Sequence, residues 1–224
     1  MSAPVAITGL GAVTPAGVGV GRFFQALFEN RVLFTDIDFF DVSAIACRRA
    51  GHSSVPSSER SRALYLAKTA AFEALADAGM NNGDTALVVA SNFFSYAEHP
   101  GDDRSFDADT LAEALSIKGI RFAISLSCAS GASALSLAAS LISDRRTSRV
   151  LVLGYDALTP FSWSGLCSLR TMSKDRPRPF SETRDGTIFS EGAVAAVLES
   201  RAEADLRGAR IRAMLTGWAT GNNA

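Results

Sequence analysis

The sequence predicts an α/β layered domain, and three observations carry that expectation. Short runs rich in Val, Ile and Leu recur along the 224 residues, segments with helical spacing separate them, and the runs are mostly apolar, as buried strands are.

The first such run is residues 5–8, Val5-Ala6-Ile7-Thr8. The segment Gly9-Leu10-Gly11-Ala12-Val13-Thr14-Pro15-Ala16-Gly17 then predicts a tight turn, because glycine permits positive φ and close backbone approach. A dinucleotide-binding turn is excluded, since Thr14 stands where the third glycine of GxGxxG would fall. Residues 51–61, with Pro56 and five serines, predict a polar loop. The segment Arg62–Ala78 carries Leu64, Ala67, Ala71, Leu75 and Ala78 at three- and four-residue steps and stops at Gly79, the pattern of an amphipathic helix. Strand-like runs follow at 86–90, 122–126, 150–154, 193–198 and 211–215, and residues 98–109, with Pro100-Gly101 and four aspartates, form a second polar loop. Neither loop is long enough for a domain linker, so one domain over 1–224 is expected.

With 47% apolar and 20% charged residues, a chain of this length can bury one substantial core. Its 22 basic and 23 acidic residues nearly cancel, which leaves no electrostatic footprint for nucleic acid or a membrane surface. No basic-then-apolar leader opens the sequence, and no apolar run approaches the ~18 residues of a membrane span, so a cytoplasmic location is expected. The three cysteines, Cys47, Cys128 and Cys167, are odd in number and irregularly spaced. They make neither a disulfide framework nor a CxxC site, and a reducing compartment suits them.

The segment Ser125-Leu126-Ser127-Cys128-Ala129-Ser130-Gly131-Ala132-Ser133-Ala134-Leu135 is the most informative. It joins an expected strand to an expected helix and puts Cys128 at the junction, where the helix dipole stabilises negative charge on sulfur. Backbone N–H groups of the same turn could stabilise an oxyanion on an attacked thioester carbonyl. The alternative is a small buried cysteine with a packing role, the usual fate of a free thiol. His52 and His99 both lie in polar, Pro-containing stretches and read as solvated loop residues, so no metal site is expected from them. Asp185-Gly186 and Glu191 permit a general-acid reading, but Asp-Gly before a strand is first a turn signal. Arg145, Arg146, Arg149, Arg170, Arg176 and Arg178 could meet an acidic partner or simply complement helix ends.

Three segments together resemble the β-ketoacyl-acyl-carrier-protein synthases. Val5-Ala6-Ile7-Thr8-Gly9-Leu10-Gly11-Ala12-Val13-Thr14-Pro15 is similar to their opening strand and turn, and Ser127-Cys128-Ala129-Ser130-Gly131 to their nucleophile motif. Residues 176–197, with Arg178-Pro179-Phe180-Ser181, Arg184-Asp185-Gly186 and Ser190-Glu191-Gly192-Ala193, resemble the segment after their active-site helix. The matches fall in family order along the whole chain. One departure is Leu126-Ser127, where the family has Thr-Ala before its cysteine.

The resemblance implies a thiolase-like α/β half: a mixed five-stranded sheet layered with α-helices, one trailing strand at 211–215, and a buried active-site helix. It implies Cys128 as the nucleophile, no cofactor and an acyl carrier protein as partner. It also implies that the two catalytic histidines, a lysine and a gating phenylalanine belong to a carboxy-terminal half beyond residue 224, so that the isolated chain would not condense. Three roles follow. The chain could be a shortened partner of chain-length-factor type, paired with a full-length ketosynthase in a type II fatty-acid or polyketide system. It could instead be the amino-terminal half of a divided ketosynthase, with Cys128 accepting the acyl chain and a complementary chain bringing the histidines. Or it could be a stand-alone cysteine acyltransferase or thioesterase using His52 or His99.

Overall fold

The computed structural model describes residues 4–45, 47–56, 58–80, 82–98 and 107–221. The chain opens with strand β1 (Val5–Thr14), the two-residue β2 (Gly17–Val18) and helix α1 (Val20–Phe28). Strands β3 (Phe34–Asp36) and β4 (Arg49–Gly51) pair antiparallel as a small separate sheet. Then come α2 (Arg62–Ala78), β5 (Ala86–Ala90), α3 (Asp107–Ala114), β6 (Arg121–Ile124), α4 (Ser130–Ser143), β7 (Arg149–Asp156), α5 (Pro160–Ser168), β8 (Gly192–Ser200), α6 (Arg201–Leu206) and β9 (Ala213–Leu215).

The main sheet runs β2-β1-β8-β7-β5-β6, with β9 also on β1. β5 pairs parallel with β6 and β7, while β8 is antiparallel to both β7 and β1, so the sheet is mixed. The five strands and trailing strand expected from the sequence are all present, widened by β2.

Alternation along the strands fixes the layers. Leu87 and Val89 of β5, Leu151 and Leu153 of β7, and Ala195 and Val197 of β8 face α2 and α3. Ala86, Val88, Val150, Val152 and Leu198 face α4, where Ala134, Ala138, Ala139, Leu141 and Ile142 meet them. α2 is capped at its start by the Ser61 hydroxyl, which accepts from Leu64 N–H at 3.1 Å, and is closed by Gly79 at φ 62°.

Two expectations about the first glycines need correction. β1 does not end at Thr8, and Gly9 and Gly11 are strand residues rather than turn residues. A Cβ at Gly9 would stand 2.2 Å from the Ala74 carbonyl oxygen, and one at Gly11 2.0 Å from that of Ala70. These glycines let β1 lie directly on the alanine-rich face of α2. Positive φ enters only later, at Gly17 (108°) and Gly19 (116°).

Two buried elements are also more open than expected. β6 ends one side of the sheet, so Arg121, Phe122 and Ala123 are exposed. α4 is buried along the face that meets the strands, while Gly131 and Ala132 near its start are exposed. Gly131 and Ala132 therefore do not pack against the sheet, whereas Ala134 and Ala138 further along the helix do. Among the described residues no helix is long and apolar enough to cross a membrane.

Candidate active site

The sharp corner between β6 and α4 is built from Leu126, Ser127, Cys128, Ala129 and Ser130. Residues Ser127–Ala129 form one 3₁₀ turn that leads directly into α4. Ser127 takes φ 51°, a left-handed conformation that costs a non-glycine residue on the order of 1–2 kcal/mol. The buried Ser130 hydroxyl brackets that residue: it accepts from Leu126 N–H at 2.7 Å and donates to the Ser127 carbonyl at 2.8 Å. The strained turn is thus held by two hydrogen bonds of about 1 kcal/mol each. Cys128 follows it and is exposed, whereas Cys47 is buried. The reading of Cys128 as a buried packing residue is therefore overturned.

Cys128 lines a cavity of about 450 Å³. Phe93, Leu158, Leu166, Leu169 and Phe189 give it an apolar wall, and Asn92, Ser125 and Asp156 lie at its polar side. The Thr159 hydroxyl caps α5 by accepting from Ser162 N–H at 3.0 Å, and the Ser162 hydroxyl reciprocates at Thr159 N–H at 2.9 Å, with Pro160 at the first helical position. That capping fixes the helix that brings Leu166 to the cavity.

Two carboxylates shape this cavity. Asp156, at the end of β7, accepts from the Ser91 hydroxyl at 2.7 Å and from Asn92 N–H at 2.9 Å. Burial pushes its carboxyl above the usual carboxylate range, although those donors and Phe93 N–H pull the other way. Asp156 thereby ties down the turn after β5 that carries Phe93.

Glu191 is the second. Its carboxylate has no solvent exposure and accepts from Ser53 N–H at 2.7 Å, from Arg62 Nε at 2.7 Å and Nη2 at 2.6 Å, and from Leu158 N–H at 3.2 Å. It joins the segment after β4, the start of α2 and the cavity wall. Arg62 also stacks over Phe39, 4.3 Å from the ring centroid. Glu191 therefore holds the pocket together, and its carboxylate is already occupied. The Asp-Gly turn signal is misplaced as well: the turn lies at residues 182–183, and Gly186, at φ 141°, packs on the backbone of Thr171, Met172 and Ser173. Asp185 instead meets Arg178 at 3.3 Å.

The structure does not bring a histidine to Cys128 among the described residues that line its cavity. His52 bonds the Thr35 hydroxyl at 2.7 Å and lies against Phe39 beside the small β3–β4 sheet. His99 lies outside the described residues. Of the arginines, Arg149 pairs with Glu203, Arg176 with Asp175, and Arg178 with Asp175 and Asp185.

A family model described as the N-terminal domain of β-ketoacyl synthase matches residues 2–204. The chain belongs to the β-ketoacyl synthase family. Among its ketosynthase relatives, the ketoacyl synthase alpha subunit of the tetracenomycin polyketide synthase of Streptomyces glaucescens is 27% identical over 98% of this chain and 63% of that protein. The 3-oxoacyl-[acyl-carrier-protein] synthase 2 of Synechocystis sp. is 27% identical over 96% of this chain and 62% of its own length. A structure titled the ishigamide ketosynthase/chain length factor superposes with a TM-score of 0.87 at 23% identity, over 97% of this chain and 63% of that one. A β-ketoacyl synthase from Burkholderia phymatum gives a TM-score of 0.80 at 26% identity, over 97% and 64%. The fold is thus the thiolase-like fold of the ketosynthases. This chain spans slightly less than two thirds of the length of the relatives it matches.

Sequence reasoning found Cys128 and its corner but missed Asp156, whose only signal is its place at the end of a strand. It weighed Glu191 as an acid or a turn residue and not as the hub of a buried ion pair.

Proposed function

We propose that the chain is a β-ketoacyl synthase-like subunit of a type II polyketide or fatty-acid system, and that its Cys128 accepts the acyl group. The observation that carries this reading is the exposed Cys128 on a strained corner at the mouth of an apolar cavity. In the loading step the Cys128 sulfur attacks the carbonyl of an acyl-carrier thioester. The carbon–sulfur bond to the carrier breaks, the carrier thiol leaves with the proton from Cys128, and the acyl chain rests on Phe93, Leu166 and Leu169. Backbone N–H groups of the turn would stabilise the oxyanion.

Condensation would then need histidines, and none is among the described residues that line this cavity. In this reading the two histidines come from the remaining third of a ketosynthase fold, in the same polypeptide or in a partner. The test is to incubate the protein with acyl-carrier thioesters and to measure its mass. An acyl adduct that maps to Cys128 and disappears in Cys128→Ser supports the reading, and no adduct under conditions that load a ketosynthase overturns it.

A second reading, a partner of chain-length-factor type for a full-length ketosynthase, is favoured by the likeness to the ishigamide ketosynthase/chain length factor and by the open β6 edge. In a reconstituted pair the two readings diverge at Cys128→Ala. Condensation that survives the substitution supports the partner role, and condensation that is lost supports acyl acceptance.

A further inference from the structure

Cys47 and Cys167 are far apart in sequence, yet both line one cavity of about 300 Å³, with Met172, Arg170, Lys174 and Ile45 around it. Cys167 Sγ stands 3.3 Å from Met172 Sδ. Cys47 Sγ donates to the carbonyl of Ser173 at 3.0 Å, so it meets the chain between Met172 and Lys174. Two thiols and a thioether thereby converge from three segments, and two cationic side chains share their cavity.

We propose that Cys47, Cys167 and Met172 form a binding site for a soft monovalent metal ion, copper(I). Thiolate and thioether donors select copper(I) over harder cations, and three sulfurs suit its low coordination number. Zinc(II) prefers four N, S or O donors, and among the described residues no group of three or more His, Cys, Asp and Glu offers them. Charge fits as well. A copper(I) ion on two thiolates carries one net negative charge, which Arg170 and Lys174 offset.

Binding exchanges protons and moves no electrons: one copper(I) replaces two thiol protons, both of which leave to solvent, and no sulfur is oxidised. Both thiols must lose their protons before they can hold the ion. Affinity therefore rises with pH.

The experiment uses the full chain with Cys128→Ser, which removes the exposed thiol, and titrates copper(I) against a chromophoric copper(I) chelator. The expected result is one copper(I) per chain with release of two protons. Cys47→Ser and Cys167→Ser should each lower affinity by more than about tenfold, and Met172→Leu, which keeps the volume, by about tenfold. Absence of binding, parental affinity in either cysteine variant, or displacement of the copper by an equal concentration of zinc(II) overturns the assignment. Should the serine variants not fold, X-ray absorption of the copper-loaded parent decides it: three sulfur neighbours support the site, and nitrogen or oxygen neighbours refute it.

Discussion

Glu191 receives both Nε and Nη2 of Arg62, at 2.7 and 2.6 Å, from a position with no solvent exposure. Removing one member of such a pair leaves the other charge buried without a partner. Glu191→Gln is expected to lower stability by about 3 kcal/mol, or roughly 6–12 °C in melting temperature for a chain of this size. Arg62→Met combined with Glu191→Leu should recover much of that loss. Thermal unfolding of the single and double variants checks both statements, and strict additivity would show that the two groups do not act as a pair.

The Ser130 hydroxyl makes the second expectation. In Ser130→Ala the Leu126 N–H loses its acceptor and the Ser127 carbonyl its donor, while Cys128 itself is untouched. Acyl loading of Cys128 should slow by about tenfold as the thiol loses its fixed aim. Adduct formation followed by mass, alongside alkylation of the same thiol, measures the effect.

Leu166 tests the cavity as an acyl site. Leu166→Trp places a larger ring in a space of about 450 Å³ that Leu158, Leu169 and Phe189 also line. Loading from long-chain thioesters should fall by about tenfold, while acetyl loading changes little. Competition between the two donors in one reaction reads this ratio directly.

The buried group at the far end of β8 gives a pH dependence. Burial alone would raise the Glu199 carboxyl, but hydrogen bonds from the Arg207 guanidinium and the Thr8 hydroxyl outweigh it and hold the carboxyl below its ordinary value. A carboxyl lowered in the folded state contributes stability above its unfolded value, and that contribution is lost as pH falls through the folded value. Melting temperature should therefore hold from neutral pH down to about pH 5 and drop below it, and Glu199→Gln, less stable at neutral pH, should show a smaller drop.

Much of this architecture was legible in the sequence because local pattern and tertiary role agree there. The helix Arg62–Ala78 and the strand Ala86–Ala90 fall where spacing and apolar runs place them. Disagreement began where a residue type serves a distant neighbour. Gly9 and Gly11 looked like turn residues, since nothing local reveals that Ala70 and Ala74 need the space. β6 looked buried because residues 122–124 are apolar, and only sheet order makes it an edge. Cys128 was legible because its motif is contiguous. Glu191 gathers Ser53, Arg62 and Leu158 from three separate segments, and Cys47 meets Cys167 only in the folded chain.

The left-handed backbone at Ser127 means that the corner is not the most stable one this chain could build. Glycine adopts that conformation without the Cβ clash, so Ser127→Gly should relax the turn and could raise the melting temperature. It would also free the hinge on which the neighbouring sulfur is mounted. A library selected for heat tolerance alone would thus drift toward glycine at residue 127, and a library selected for thiol chemistry would keep the side chain.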